Sequence, residues 1–330
     1  MDAVTKPPTY DDIVEAAGRL KGVAARTPLL EAPLLNERAG ARVFIKAEML
    51  QKTGAFKLRG AWNRISRLSE AEKNRGVLCY SSGNHAQAVA ASATLAGTSS
   101  IVVMPATAPA LKVARCRAFG ATVVLHEGDR HSMVARATEL AKTEGRVLVP
   151  PFDDPFVIAG QGTVGLEIAE DLTACGIVPD VVLVPCGGGG LMAGTATAIK
   201  MHFPAAALYG VEPVGFDDTA RSLVAGERVA NEPGAHSICD ALLVPEPGVL
   251  TFAVNAALLS GGVAVSDDEV RDAMAAAFEH LKVVTEPGGA VALAAVLSGK
   301  LDLKGKTVVV VASGGNVDAA TFAAAITRKP

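Results

Sequence analysis

Eight short runs rich in Val, Ile and Leu punctuate this chain, at 42–48, 77–81, 99–104, 121–126, 146–149, 180–185, 207–211 and 307–312. Each is nearly continuous in apolar side chains rather than alternating, the pattern of strands covered on both faces. Longer Ala-rich stretches lie between them, at 84–95, 111–119, 132–142, 161–175, 190–202 and 266–281, and read as helices. The last opens on Ser266-Asp267-Asp268-Glu269, a capping-box pattern that marks a helix N-terminus. Repeated strand–helix–strand units predict parallel-rich sheets covered by helices. The expected class is α/β.

The 330 residues suffice for roughly two domains at about 150 residues each. Pro150-Pro151 and Asp153-Asp154-Pro155 form the clearest punctuation, and a domain edge is expected there. With aromatics at 4%, the core must be built mainly from Ala, Val, Leu and Ile. The net charge is −3 with no long run of one sign, which speaks against nucleic acid or a polybasic membrane patch. Mean hydropathy is +0.32, but the purest apolar stretch, 308–312, is far below the ~18 to 20 residues that span a bilayer. No membrane segment or signal pattern is expected. Five widely spaced cysteines without a C-x-x-C pair argue against a disulfide framework and for a reduced, cytoplasmic protein.

Open α/β sheets gather their ligands beyond the carboxyl ends of the strands. Three strand ends carry polar, glycine-rich turns: Ser81-Ser82-Gly83-Asn84-His85, Gly187-Gly188-Gly189-Gly190 and Ser313-Gly314-Gly315-Asn316. Such turns aim backbone N–H groups at whatever binds there, which suits an anion. Four consecutive glycines cost backbone entropy unless close approach or positive φ requires them, so a phosphate cradle is the stronger reading. Gly188-x-Gly190-x-x-Ala193 followed by Glu212 also matches a dinucleotide fingerprint, which leaves an NAD-dependent oxidoreductase as the rival. Lys57, between Phe56 and Leu58, reads by itself equally well as a snorkelling surface residue.

Taken together, Thr53-Gly54-Ala55-Phe56-Lys57-Leu58-Arg59-Gly60, the Ser-Ser-Gly-Asn-His turn, the tetraglycine and Ser-Gly-Gly-Asn, in that order, resemble the fold type II pyridoxal-phosphate (PLP) enzymes. The threonine/serine dehydratase and serine racemase branch is the most similar, over roughly 28–318. The resemblance implies a two-domain, tryptophan synthase β-like fold: a large PLP-binding domain from 1–69 and 154–330, and a small inserted domain at 70–153. It implies that Lys57 carries the cofactor covalently, that Phe56 packs on the pyridine ring and that Asn84 meets its phenolic oxygen. Gly187, Gly188, Gly189 and Gly190 would bind the phosphate, Ser313 would face the pyridine nitrogen and Glu286 would lie near the ring. Ser81, Ser82, Gly83, Asn84 and His85 would hold the substrate carboxylate. Ser82 matches the position of a base on the opposite face of the cofactor, although an unassisted hydroxyl is a weak base and binding or packing is its other reading.

The implied reaction is β-elimination from a small β-hydroxy-α-amino acid, threonine or serine by default, giving a 2-oxo acid and ammonia. A serine at the pyridine nitrogen cannot strongly favour a protonated ring, and the weaker electron sink favours expelling a β-substituent. Arg130, in Glu127-Gly128-Asp129-Arg130-His131, resembles the arginine that serine racemases place near the substrate. Arginine suits a second carboxylate, which raises 3-hydroxyaspartate as a substrate and a racemase as the same-site alternative; Arg130 and His131 on a solvated helix start are the plainer reading. Glu212, Phe216 (through its carbonyl) and Asp218 resemble the divalent-cation site of serine racemases, an oxygen set suited to Mg, Mn or Ca; an acidic loop at a strand end is the plainer reading. His126, His202, His236 and His280 lack ligand spacing and read as structural or surface groups. Ala55 replaces a usual serine, and Asp240-Ala241 stands where the family often has Asp-Gly. With the sequence ending at 330, no regulatory domain and no isoleucine feedback are expected. A homodimer is expected.

Overall fold

The computed structural model describes residues 6–327. The elements run α1 (Tyr10–Leu20), β1 (Leu29–Leu30), α2 (Pro33–Ala39), β2 (Arg42–Ala47), α3 (Lys57–Ile65), α4 (Glu70–Arg75), β3 (Val77–Tyr80), α5 (Asn84–Leu95), β4 (Ser100–Pro105), α6 (Ala110–Ala118), β5 (Thr122–His126), α7 (Arg130–Thr143) and β6 (Val147–Leu148). They continue with α8 (Pro155–Ala174), β7 (Val181–Pro185), α9 (Gly190–His202), β8 (Ala207–Pro213), α10 (Asp218–Ala225), α11 (Val249–Leu258), β9 (Gly261–Val265), α12 (Asp267–Ala276), α13 (Pro287–Leu297), β10 (Thr307–Ala312) and α14 (Ala319–Ile326).

These strands form two sheets. One has the order β1-β2-β10-β7-β8-β9 and the other β5-β4-β3-β6. Every pairing is parallel except β1 with β2, which fits the continuous apolar runs of the sequence. All five residues of β7 are buried, and so are the last five of β10. The larger sheet is covered on one face by α12 and α13, through Val270, Met274, Val291 and Leu293, and on the other by α8 and α9, through Val164, Ile168, Met192 and Ile199. The smaller sheet packs α5 on one side and α7 on the other. Among the described residues no helix is long and apolar enough to cross a membrane, and Cys79, Cys116, Cys175, Cys186 and Cys239 are all free thiols.

The aromatic-poor composition has a packing consequence. A Cβ at Gly194 would lie 2.4 Å from the Ile158 carbonyl oxygen, and one at Gly160 2.5 Å from that of Arg59. Helices α3, α8 and α9 therefore approach backbone to backbone at these glycines.

Three expectations need correction. The helix expected at 161–175 starts at Pro155, because Asp154 caps it by accepting from Phe156 and Val157 N–H at 2.9 Å and proline is tolerated at N1. Strand β9 has no counterpart in the sequence reading. Its Gly261-Gly262 pair looks like a turn, yet a Cβ at Gly262 would lie 2.6 Å from Ala220 Cβ, so the glycine serves close packing by α10. The helix expected at 266–281 is α-helical only to Ala276. It ends in a π-turn over Ala277–Leu281, closed by Lys282 at φ +58°.

Candidate active site

Strand ends β3, β7 and β10 open on one cavity of about 260 Å³, close to the size range of small-molecule sites. The three glycine-rich turns meet there. Phe56, Lys57, Ser81, Ser82, Gly83, Asn84, His85, Arg130, Gly187, Gly188, Gly189, Gly190, Glu286 and Ser313 all line it. Tyr80, Asp129, Met133, Pro151, Phe152 and 241–244 also line it; none of these was singled out as a ligand by sequence. Phe152 and 242–244 carry no polar motif, so only their placement reveals them, whereas Ala241 belongs to the Asp240-Ala241 departure seen in the sequence.

Lys57 is the first residue of α3, directly after the turn that ties the two chain ends together. Ala55 bridges Gly314 as a single antiparallel pair, Phe56 N–H donates to the Ser313 carbonyl at 3.1 Å, and Gly315 N–H donates to Gly54 at 2.9 Å. The Lys57 side chain is half-buried along the cavity, its Nζ donating to the Pro151 carbonyl at 2.7 Å and sitting 5.0 Å from the centre of the Phe56 ring. Burial of the ammonium, with a smaller push from the Arg130 charge, lowers its pKa to about 8. About a tenth of the amine is then neutral at pH 7, far more than for an ordinary lysine, which favours a nucleophilic or basic role.

The tetraglycine turn is a built cradle rather than a slack loop. Gly189 caps α9 with φ +87°, and no side chain caps that helix end. A Cβ at Gly188 would lie 2.2 Å from Phe152 Cδ1, one at Gly187 2.9 Å from Val244 Cγ2, and one at Gly189 2.8 Å from Asn255 Nδ2. Free N–H groups and the positive end of the α9 dipole therefore face the cavity without side chains in the way. Helix α5 offers a second uncapped N-terminus at Gly83-Asn84.

A chain of amides and one acid crosses the site. Asn84 Nδ2 donates to Glu286 Oε1 at 2.5 Å, Asn316 Nδ2 donates to Asn84 Oδ1 and to the Thr53 carbonyl at 2.8 Å each, and Arg115 donates to Asn316 Oδ1 at 3.1 Å. Burial and then repulsion from Asp240 push the Glu286 carboxyl up to about 7, against the pull of the Asn84 hydrogen bond. His85 is buried and neutral: burial, then the Lys57 charge, lower it to about 3. Its Nε2 lies 2.9 Å from the Val149 carbonyl, which can only accept, so Nε2 carries the proton. Arg130 is exposed overall, but burial at the cavity holds its guanidinium below the usual arginine value. No ion pair or hydrogen bond from Arg130 to a carboxylate occurs among the described residues.

The expected cation residues lie elsewhere, at the end of β8 and the start of α10. Glu212 and Asp218 are both fully buried and close enough to repel. Burial and then Asp218 raise Glu212 to about 8, and burial raises Asp218 to about 6. Glu212 accepts from Thr219 and Ala220 N–H at 3.0 and 2.9 Å, while Asp218 Oδ2 is buried without a partner. Among the described residues no three Asp, Glu, His or Cys side chains converge to hold an ion, so this set rests on two carboxylates and backbone oxygen. The same hydrogen bonds count against the dinucleotide alternative. Glu212 does not line the cavity, and its carboxylate is occupied by α10 rather than free for a ribose.

The structure thus presents an amine, a flat apolar face from Phe56, an anion cradle and ring-edge polar groups from Asn84, Glu286 and Ser313 around one small cavity, a set that fits a phosphorylated aromatic aldehyde. Comparisons with known proteins agree. Residues 20–314 match the family model described as pyridoxal-phosphate dependent enzyme. The chain is 44% identical over 314 residues to the catabolic L-threonine dehydratase of Escherichia coli, covering 94% of each. It is 39% identical over 323 residues to the L-threo-3-hydroxyaspartate ammonia-lyase of Saccharomyces cerevisiae, covering 98% of this chain and 97% of that one. The structure of maize serine racemase superposes with a TM-score of 0.90 at 36% identity, covering 95% of each chain. The chain belongs to the pyridoxal-phosphate dependent enzymes, with the fold of their type II branch.

Proposed function

We propose that this enzyme is a PLP-dependent ammonia-lyase that converts a small β-hydroxy-α-amino acid, threonine or serine first, into a 2-oxo acid and ammonia. The observation that carries the reading is Lys57: a buried amine lowered to about 8, facing an anion cradle across a cavity of about 260 Å³. Bound PLP supplies the electron sink that makes a Cα carbanion accessible. Lys57 would hold the cofactor, and the tetraglycine N–H groups with the α9 N-terminus would bind its phosphate. Phe56 would pack on the ring, Asn84 would meet the phenolic oxygen, Glu286 would lie near the ring, and the Ser313 hydroxyl would face the pyridine nitrogen.

Backbone N–H groups and hydroxyls of Ser81 to His85 hold the substrate carboxylate. Released when the substrate amine takes its place, Lys57 Nζ then takes the Cα proton as a free base. The Cα–H and Cβ–O bonds break and a Cα=Cβ bond forms, and the proton balances the hydroxide that departs as water. The released enamine tautomerises to an imine, and its hydrolysis consumes one water and frees ammonia. Ser82 lines the cavity, and no carboxylate or imidazole is bonded to its hydroxyl among the described residues, which supports elimination over racemisation as the main outcome. The test is a panel of hydroxy-amino acids of both configurations with 2-oxo-acid detection. Racemised substrate in place of oxo acid would replace the lyase by a racemase, and NAD uptake without PLP uptake would replace both.

A second reading, 3-hydroxyaspartate, is favoured by Arg130, a cation at the cavity with no carboxylate partner among the described residues. If its fork grips a distal carboxylate, Arg130→Ala loses about 10- to 100-fold in kcat/KM for 3-hydroxyaspartate, the scale of a charge-assisted hydrogen bond, and much less for threonine. Equal losses for both substrates would remove the arginine from substrate selection.

The same reading includes a divalent cation (Mg, Mn or Ca) held by Glu212, the Phe216 carbonyl and Asp218, supported by the unpartnered Asp218 Oδ2. Its place is structural, away from the cavity. Chelation by EDTA lowers the melting midpoint and Mg, Mn or Ca restores it; an unchanged midpoint would count against the ion. The reading also takes 1–69 with 154–330 as the cofactor-binding unit and 70–153 as the smaller inserted one, each built on its own sheet. It makes the chain a protein of the cytoplasm, in keeping with its five free thiols, and a homodimer, supported by exposed Leu95 at an apolar hollow with Leu58, Ala91 and Phe119.

A further inference from the structure

Two adjacent aspartates follow Pro150-Pro151-Phe152, and they cap two different helices. Asp154 caps α8, the helix it precedes. Asp153 reaches across the fold to α11: its Oδ2 accepts from Val249 N–H at 3.0 Å, and its Oδ1 from Leu250 and Thr251 N–H at 2.9 and 3.3 Å. The residue at the α11 N-cap itself is Gly248, which has no side chain to cap with, and a Cβ there would lie 2.5 Å from Asp153 Oδ1. Three otherwise orphaned donors thus depend on one remote carboxylate.

The same α11 turn holds the tetraglycine. Thr251 Oγ1 donates to the Gly188 carbonyl at 2.7 Å and Gly248 N–H donates to it at 3.3 Å. A trans peptide directs its C=O and N–H to opposite sides, so these bonds turn the Gly189 N–H away from α11. On the other side of Asp153, the Pro151 carbonyl accepts from Lys57 Nζ, and the Phe152 ring occupies the space above Gly188.

We propose that Asp153 is a positioning residue that, by capping α11 across the fold, holds the amine-binding carbonyl of Pro151 and the phosphate turn in mutual register. The inference rests on the PLP reading and concerns this chain's own residues. Its test is PLP affinity of the cofactor-depleted full chain, read by fluorescence titration, together with melting midpoints. Asp153→Ala is expected to raise the PLP Kd about tenfold; at about 1.4 kcal/mol per decade, that lies within the roughly 0.5–2 kcal/mol a lost cap costs. Asp154→Ala removes a two-donor cap from α8 together with its Arg64 ion pair at 3.2 Å; it should cost at least a comparable melting shift but less than about threefold in Kd. Asp153→Asn keeps one acceptor oxygen and should recover part of the affinity.

Equal weakening by the two alanine variants, or native affinity in Asp153→Ala, would overturn the proposal by reducing Asp153 to an ordinary cap. If Asp153→Ala does not fold, Asp153→Asn against Asp154→Asn decides: weaker PLP binding only in the former supports it, and native affinity in both overturns it. A native chain that takes up no PLP would sink the functional reading and this inference with it. Native uptake with Asp153→Ala unaffected sinks the inference alone.

Discussion

Lys57→Ala protein is expected to fold, to show no covalent PLP after borohydride reduction, and to lose at least about 10³-fold in 2-oxo-acid formation, within the range of a removed general base. Native protein treated the same way should carry the reduced cofactor on Lys57, read by peptide mass. Turnover retained in the variant, or label on another lysine, would remove Lys57 from the chemistry. The amine also leaves a trace on stability. In the cofactor-free protein its pKa is about 8, against ~10.4 for a lysine in the unfolded chain. Between those values the unfolded state binds more protons than the native state, so native stability rises with pH across that window. Lys57→Met abolishes the term. It should therefore be more stable than native cofactor-free protein at about pH 7, with an advantage that shrinks as pH climbs from about 8 towards 10.4. An advantage independent of pH would mean that the native amine titrates normally.

Arg59→Ala is expected to cost about 3–5 kcal/mol of stability, the scale for breaking a buried ion network on one side. Arg59 is the largest fully buried side chain and lies two residues beyond Lys57 in α3. Its guanidinium donates to Glu48 at 2.8 and 2.7 Å, to Glu167 at 2.7 and 2.9 Å, to Thr163 Oγ1 at 3.1 Å and to the Ala25 carbonyl at 3.2 Å. Lys46, also fully buried, donates to Glu167 and to the Thr27 carbonyl at 2.6 Å each, and Thr27 Oγ1 donates to Glu48 at 2.5 Å. Two cations and two carboxylates thus satisfy one another beneath α3, and removing Arg59 strands the Glu48 charge. A urea midpoint shift with unchanged m-value reads the loss. Arg59→Met combined with Glu48→Gln should recover part of it, since the uncompensated charge leaves with the arginine. A single-variant loss below about 1 kcal/mol would mean that water already reaches the cluster.

How much of this was legible beforehand depends on the range of the interaction. Strand runs such as 180–185 and 307–312 are local burial patterns, and β7 and β10 lie within a residue of them. The glycines of 187–190 announced a close approach, although what approaches lies far along the chain: Phe152, 36 residues before Gly188, and Val244, 57 residues after Gly187. Strand β9 escaped because Gly261-Gly262 carries the local signal of a turn, and only the neighbouring α10 explains a glycine inside a strand there. The start of α8 escaped because Asp153-Asp154-Pro155 looks like a break, while Asp154 and Pro155 in fact begin the helix.

The chain by itself determined the α/β class and the three ligand-facing turns, since each is written in contiguous residues whose backbone needs are local, whereas Lys57 stood out only through the resemblance carried by the four motifs together. Only the tertiary structure decided that Asp153 caps a helix 97 residues away, that Arg59 and Lys46 share Glu167 across 108 and 121 residues, and that Glu212 faces α10 instead of the cavity. The physical reason is that periodicity records which side of an element avoids water, whereas a buried charge or an orphaned N–H is satisfied by whatever group the packed fold brings within about 3 Å, at any distance along the chain.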